Sequence, residues 1–293
     1  MTTVADELPR ENETVAQRVL RLVGKAPIHI ILVVIGVLWL VPTLGLFFTS
    51  ILAPESFNEK GWWQILSEPS LATLDNYDKV FNTDAIVSSL WTTVLVSLGG
   101  TILPIFVAAM AAYAFAWLEF PGRDWLFIGV IAMLVVPIQM ALIPIFKLYS
   151  DLNLFDTVLG LILFHTAFGL PFAIFLLRNF FVGIPKDILE SARIDGASEL
   201  TIFLRLILPL GLPAIASLAI FQFLWTWNDF LVALTFGRDT QVITVAIFSE
   251  FRQFGANLEL IAPAAFISLV IPLGLFFAFQ RYFVEGLLAG SVK

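Results

Sequence analysis

Cysteine is absent from the 293-residue chain. No disulfide framework and no thiolate metal site can be built from it. Histidine is almost as scarce. His29 and His165 are too far apart in sequence to make a metal-ligand pattern, and each is expected at an interface or in helix packing. Charge is sparse too: 13% of residues are charged and 59% are hydrophobic, against about a quarter and about half in soluble domains. The formal net charge of −7 disfavours nucleic acid as a partner. Three motifs are also missing: the H-E-x-x-H metalloprotease helix, the G-x-x-x-x-G-K-[ST] phosphate loop and the G-x-S-x-G nucleophile elbow. The chain therefore offers no catalytic set, and ATP hydrolysis would have to take place on another subunit.

What the chain has is long apolar runs. Roughly 20 apolar residues cross a bilayer core. Six segments meet that length: residues 27 to about 49, 85–117, 125–146, 157–177, 210 to about 236, and 262–283. The expected fold class is an all-α integral membrane protein with six transmembrane helices. The second run is longer than a straight crossing needs, with Gly99, Gly100 and Pro104 in its middle and a stripe of alanines from Ala108 to Ala116 that suits close helix packing. The third is expected to be broken by Pro137 and Pro144. The fourth carries His165 and Pro171. Residues 50–83 form a polar loop whose Trp62, Trp63 and Tyr77 suit the headgroup level. Residues 237–259 are amphipathic, with Phe248, Phe251 and Phe254 at helical spacing.

An even number of spans puts both termini on one side, and the basic residues choose which. Arg10, Arg18, Arg21, Lys25, Arg123, Arg178, Lys186, Arg193, Arg205, Arg281 and Lys293 share the terminal side, whereas Lys60, Lys79, Lys147, Arg238 and Arg252 lie opposite. The positive-inside rule then makes residues 1–26 and 284–293 cytoplasmic tails flanking a transmembrane domain at 27–283.

The same rule places the most unusual stretch, residues 181–209, in the cytoplasm. Lys186, Asp187, Glu190, Arg193, Asp195, Glu199 and Arg205 are interleaved there with Ile188, Leu189, Ala192, Ile202, Phe203 and Leu206. That mixture is wrong for a span. It predicts two short amphipathic helices parted at Gly196, with Pro185 in the first turn of one and Ser198 capping the other, presenting a face to a soluble partner. Ile188, Leu189 and Ala192 are expected to share the inward face, opposite Asp187, Glu190 and Arg193.

Within this stretch Glu190-Ser191-Ala192, then Gly196, then Leu206-x-Leu208-Pro209 resembles the EAA loop of binding-protein-dependent ABC importer permeases. Ser191 stands where that pattern has its first Ala, and Leu206 where it has Ile. Arg193-Ile194-Asp195-Gly196-Ala197 and Trp227-Asn228-Asp229-Phe230-Leu231 resemble the carbohydrate branch, in particular the second permease subunit of maltose-type sugar transporters. The resemblance runs from about Leu74 to the C-terminus. It implies a type I importer permease fold with the EAA coupling loop between the fourth and fifth helices, in a prokaryotic plasma membrane. Glu190, Ser191, Ala192, Asp195, Gly196, Ala197, Leu208 and Pro209 would meet the ATPase. The implied partners are a second homologous permease, two ABC ATPase subunits holding ATP and Mg, and an extracytoplasmic sugar-binding protein. The implied cargo is a carbohydrate, an oligosaccharide such as an α-glucoside. No cofactor is expected on this chain.

Polar residues inside spans are costly and so are candidates for the translocation path. Gln139, Gln222, Trp225, Asn228 and Asp229 are singled out, because aromatic faces beside amides suit sugars. For Asp229 the alternative is a local cap or pair at the outer end of the fifth span. An amino-acid or phosphate importer is the second substrate class. A secondary transporter is a further alternative, although neither paired intramembrane charges nor a clear inverted repeat is visible.

Overall fold

The computed structural model describes residues 15–57, 59–254 and 257–289. Residues 1–14 and 290–293 of the two expected tails lie outside the described residues. Helix α1 (Val15–Ser50) contains the first span and runs through Pro27 and Pro42 without interruption. Its apolar side chains from Ile28 to Val41 face outward, as expected of a helix bathed in lipid. The loop that follows folds into a small cap. A single bridge pairs Leu52 with Ala72, and α2 (Asp75–Phe81) places the fully buried Asn76 beneath it. Asn76 Nδ2 donates to the Ser50 and Leu52 carbonyls at 3.1 and 2.8 Å, and Trp62 stacks on Phe48 at 6.0 Å. Lys79 pairs with Glu259, tying the cap to the start of the last helix.

The centre of the molecule is α3 (Asp84–Trp117) packed on α6 (Val158–Phe181) and α9 (Leu212–Trp227). Between α3 and α6 lies a helix broken in two. Here α4 (Arg123–Ala132) and α5 (Ile138–Asp151) meet at a bend of 102°. Pro137 is the cause: it forces Val136 out of helical geometry, to ψ 114°. Pro144 does not break the chain. It lies inside α5, so the expected double interruption of the third span is a single one.

After α6 come α7 (Lys186–Ile194) and α8 (Glu199–Leu210). Pro209 has no N–H to give the carbonyl four residues back, and α8 widens into a π turn at Phe203–Ile207. A 72° bend at Gly211 leads into α9. The fifth span breaks again after Trp227, before the short α10 (Leu231–Phe236). Helix α11 (Ile243–Phe254) lies beside α3 and α12, its Phe248 against Phe230 at 5.0 Å. The last helix, α12 (Leu258–Ala289), extends past the sixth span without a break into the expected C-terminal tail. Among the described residues, four helices are each long and apolar enough to cross a membrane, and counting each of the two bent pairs as one span gives six.

Small residues permit the central contact. A Cβ placed on Gly100 of α3 would sit 3.1 Å from Thr226 Cγ2 and 3.2 Å from His165 Cβ. There is no hydrophobic drive between helices in lipid, so such close approach and interhelical hydrogen bonds hold them. Gly100→Val is expected to force α3 away from α6 and α9 at a cost of about 1–3 kcal/mol, read as a lower thermal unfolding midpoint of the detergent-solubilised complex. An unchanged midpoint would show that the junction is loose.

Candidate functional site

Two regions of the chain carry chemistry, one at each end of the central helices. The first is the loop 181–209. Pro185 precedes α7 in an extended conformation, with ψ 129°, and does not enter the first turn. Leu189 is wholly buried in a cluster with Phe181, Ile184, Ile202, Phe203 and Ile207, and Ala192, Ala197 and Leu208 pack on its edge. Ile188 is only partly turned inward, at 38% exposure. Gly196 takes the left-handed conformation at φ 80°, and Ala197 N–H returns to the Ala192 carbonyl at 3.0 Å, which closes the end of α7. Nothing lies near a Cβ placed there, so the requirement for glycine is conformational. Ser198 Oγ then accepts from Thr201 N–H at 3.3 Å and starts α8.

The outward surface of this loop combines charge with bare apolar side chains. Glu190 pairs with Lys186 at 2.9 Å across one helical turn, and Ser191, Asp195, Gly196 and Pro209 are exposed. Ile194 and Leu200 flank them at 85% and 66% exposure. Two of the expected docking charges behave differently. Arg193 and Glu199 bond to each other and to α3, with Arg193 Nε 2.8 Å from Glu199 Oε1 and the Tyr113 hydroxyl donating to Glu199. The hydrogen bond from Arg193 holds the Glu199 carboxyl below the usual carboxylate range. Tyr113 lies 86 positions from Glu199 in an apolar run, and nothing in its spacing points to the loop.

The second region is a polar junction inside the bundle. Gln222 Nε2 donates to the Gly100 carbonyl at 2.9 Å and to the His165 carbonyl at 3.4 Å, so its amide ties α9 to α3 and α6. His165 is 1% exposed, its Nε2 lies 3.6 Å from Asp229 Oδ2, and Trp225 stands edge-on to its ring at 5.0 Å. Asp229 caps the break in the fifth span. Its carboxylate accepts from Val232 N–H at 3.2 Å and Ala233 N–H at 2.9 Å, while Thr244 Oγ1 donates to its carbonyl at 2.5 Å. The local cap, rather than a free carboxylate in a channel, describes this residue.

The five polar-path candidates do not converge. Gln222 and Trp225 line one groove of about 290 Å³ with Phe168, Gly169, Phe172 and Phe221. Asn228 donates to the Leu224 carbonyl at 2.8 Å and borders a different groove of about 440 Å³, against Leu46 of α1 and Ser268, Pro272 and Phe276 of α12. Gln139 is exposed at the start of α5. Trp227 lies away from the Gln222 groove, buried with its indole N–H donated to the Ser268 carbonyl at 3.0 Å.

A further polar clasp went unread in the sequence. Asp156, at φ 59°, accepts from the backbone N–H of Thr240 at 2.8 Å and of Asp239 at 2.9 Å, and its carbonyl accepts from Thr240 Oγ1 at 2.8 Å. The clasp joins the loop before α6 to the loop before α11. Burial pushes this carboxyl up, but the backbone N–H donors outweigh it and the net shift is downward. An Asp next to the helix-capping Thr157 was the available signal, but its partners lie more than 80 residues away.

Among the described residues, no group of His, Cys, Asp and Glu could hold a metal ion. Broken apolar spans around a polar junction, with an amphipathic loop beyond them, define a multi-pass membrane protein. The particular family follows from comparison. The chain belongs to the binding-protein-dependent transport system inner membrane components, which match residues 100–288. It is 44% identical over 299 residues to the osmoprotective compounds uptake permease protein GgtD of Synechocystis sp., covering 100% of both chains. It is 51% identical over 233 residues to the alpha-glucoside transport system permease protein AglG of Rhizobium meliloti, covering 77% of this chain and 61% of that relative. The fold matches a chain from a bacterial ABC transporter involved in the import of the acidic polysaccharide alginate, at TM-score 0.74 and 19% identity, over 93% of this chain and 99% of that one.

If Asp229 acts as a cap, Asp229→Ala should cost about 1 kcal/mol, while Asp229→Asn, which keeps one acceptor, should retain most of that stability. Thermal unfolding in detergent measures both. Equal losses would assign the effect to the charge beside His165 instead. The Asp156 clasp should be complete above the ordinary carboxylate range, near pH 4, and be lost as the pH falls through the lowered value. Hydrogen exchange at the Asp239 and Thr240 amides reads it, and Asp156→Ala should lower their protection, relative to the intrinsic exchange rate, at neutral pH to the level the parent shows only in acid.

Proposed function

We propose that this permease carries a carbohydrate, of the size and chemistry of an α-glucoside, into the cytoplasm as part of an ATP-driven importer. It works beside a second homologous permease. Two ABC ATPase subunits, holding ATP and Mg, drive it from the cytoplasmic side, and an extracytoplasmic sugar-binding protein delivers the cargo. Both termini and the loop 181–209 face the cytoplasm. Glu190, Ser191, Asp195, Gly196 and the exposed Ile194 and Leu200 meet the ATPase, with Ala192, Ala197, Leu208 and Pro209 shaping the loop behind them.

The observation that carries the cargo class is the groove in which Trp225, Phe168, Phe172 and Phe221 surround Gly169. Sugar rings present apolar C–H faces that pack on aromatic rings, while their hydroxyls need hydrogen-bond partners. The groove supplies the rings. The Gln222 amide N–H group is already given to two backbone carbonyls, so most hydroxyl partners come from the second permease. Likeness to an α-glucoside permease over 77% of the chain supports the same reading. Likeness to an osmoprotectant permease over the full length supports a second one, a small compatible solute.

The test is ATP hydrolysis by the purified complex in lipid, stimulated by its binding protein with and without cargo. Loading with α-glucosides such as trehalose or sucrose should stimulate hydrolysis, and glycine betaine should not. Trp225→Ala should lower uptake of the glucoside about fivefold while leaving the ATPase bound. Stimulation by betaine alone would replace the carbohydrate reading with the osmoprotectant one.

A further inference from the structure

The charges of the loop 181–209 fall into two sets. Lys186, Glu190 and Asp195 face outward. Arg193 and Glu199 are also exposed, at 36% and 45% of their side chains, but their hydrogen bonds run to each other and to α3. Arg193 donates from Nε to Glu199 Oε1 at 2.8 Å and from Nη2 to Glu199 Oε2 at 3.2 Å. Two parallel bonds between planar groups set orientation as well as distance. The Tyr113 hydroxyl, on the buried face of α3, donates to the same Glu199 Oε2. Arg193 Nη2 also reaches the Trp117 carbonyl at 3.5 Å. Trp117 is the last residue of α3, where carbonyls lack helical donors and the negative end of the helix dipole favours a cation.

The arrangement spans the left-handed turn at Gly196 and joins three pieces of chain: the end of α7, the start of α8 and the end of α3. Helices α6 and α8 are linked to the loop through the chain itself, but α3 is not. Trp117 is 76 positions from Arg193 and Tyr113 is 86 from Glu199. Apart from this set, α3 meets the loop through apolar contacts around Phe203, such as the Tyr113–Phe203 ring pair at 5.4 Å. Such contacts are non-directional and allow sliding. Yet α3, like α6 and α9, is part of the polar junction, where its Gly100 carbonyl accepts from Gln222.

We propose that Arg193 and Glu199 are positioning residues that lock the coupling loop to the end of α3 through Tyr113 and the Trp117 carbonyl, so that a displacement of the loop moves α3 as a rigid body and reaches the junction at Gly100. The proposal rests on the reading of residues 181–209 as the ATPase-docking loop. The docking contact and the lock use different side chains of one loop. Residues outside the lock decide whether the ATPase binds, and the lock decides whether its motion arrives.

The absence of native cysteine makes a direct test practical. Nitroxide labels at Asp84→Cys and Asp187→Cys report the far end of α3 against α7 of the loop. Both positions are exposed, and the length of α3 sets their separation near about 50 Å. Pulsed electron resonance is recorded on the full complex in lipid, with cysteines removed from its other subunits, with and without ATP. One narrow distance population is expected in each state. Arg193→Ala, Glu199→Ala and Tyr113→Phe should each broaden it and lower sugar moved per ATP hydrolysed by about tenfold, with the ATPase still bound. Tyr113→Phe added to Glu199→Ala should cost no more than Glu199→Ala alone, since the acceptor of the Tyr113 hydroxyl is then already gone. Glu190→Lys is the docking control and should release the ATPase without broadening the distances. Narrow distances and unchanged coupling in Arg193→Ala would overturn the lock, as would loss of the ATPase from that variant. A parent complex that retains no ATPase would remove the docking reading, while the distance widths of the remaining complex would still judge the lock.

Discussion

Gln222 holds three helices with one amide. Its hydrogens go to the Gly100 and His165 carbonyls, and the contact is possible only because Gly100 and Gly169 leave room: a Cβ on Gly169 would stand 2.5 Å from the Gln222 nitrogen. In a bilayer, packing and interhelical hydrogen bonds must do what water does for a soluble core. The junction of α3, α6 and α9 is therefore the frame. The outward-facing α1, the cap above it and the broken helices are arranged around this frame.

The breaks are the second theme. A helix interrupted within a membrane exposes backbone groups whose loss of partners costs several kcal/mol each. Each interruption near the frame is repaired by a named group. Asp229 accepts the first N–H groups of α10, and Thr244 donates to the carbonyl of Asp229. At the outer loops, Asp156 does the same for Asp239 and Thr240. Bending at Pro137 and at Gly211 lets the chain turn without a long unpaired stretch. Acidic side chains here serve as caps, which is why a carboxylate near the membrane interior need not belong to a transport path.

A permease must move without coming apart. The apolar cluster around Leu189 sits behind the outward face of the loop, and the exposed ion pair between Arg193 and Glu199 adds a directional contact beside it. The aromatic groove lies between α6 and α9, the two helices that the chain joins directly to the loop 181–209.

Much of this was determined by the sequence alone. Apolar length marked the spans, Pro137 marked the break in the third, and the mixed charged and apolar residues of 181–209 marked two short amphipathic helices parted at Gly196, because these features depend on neighbours within one or two helical turns. The left-handed turn at Gly196 and the Ser198 cap are of this kind. The tertiary structure alone decided the rest. It joined Glu199 to Arg193 and Tyr113, made Asp229 a cap, engaged Gln222 with two backbones and separated Asn228 and Gln139 from the aromatic groove. The physical reason is the same in each case. A polar side chain inside an apolar bundle must find a partner, and which partner it finds depends on the helix packed against it, often eighty or more residues away.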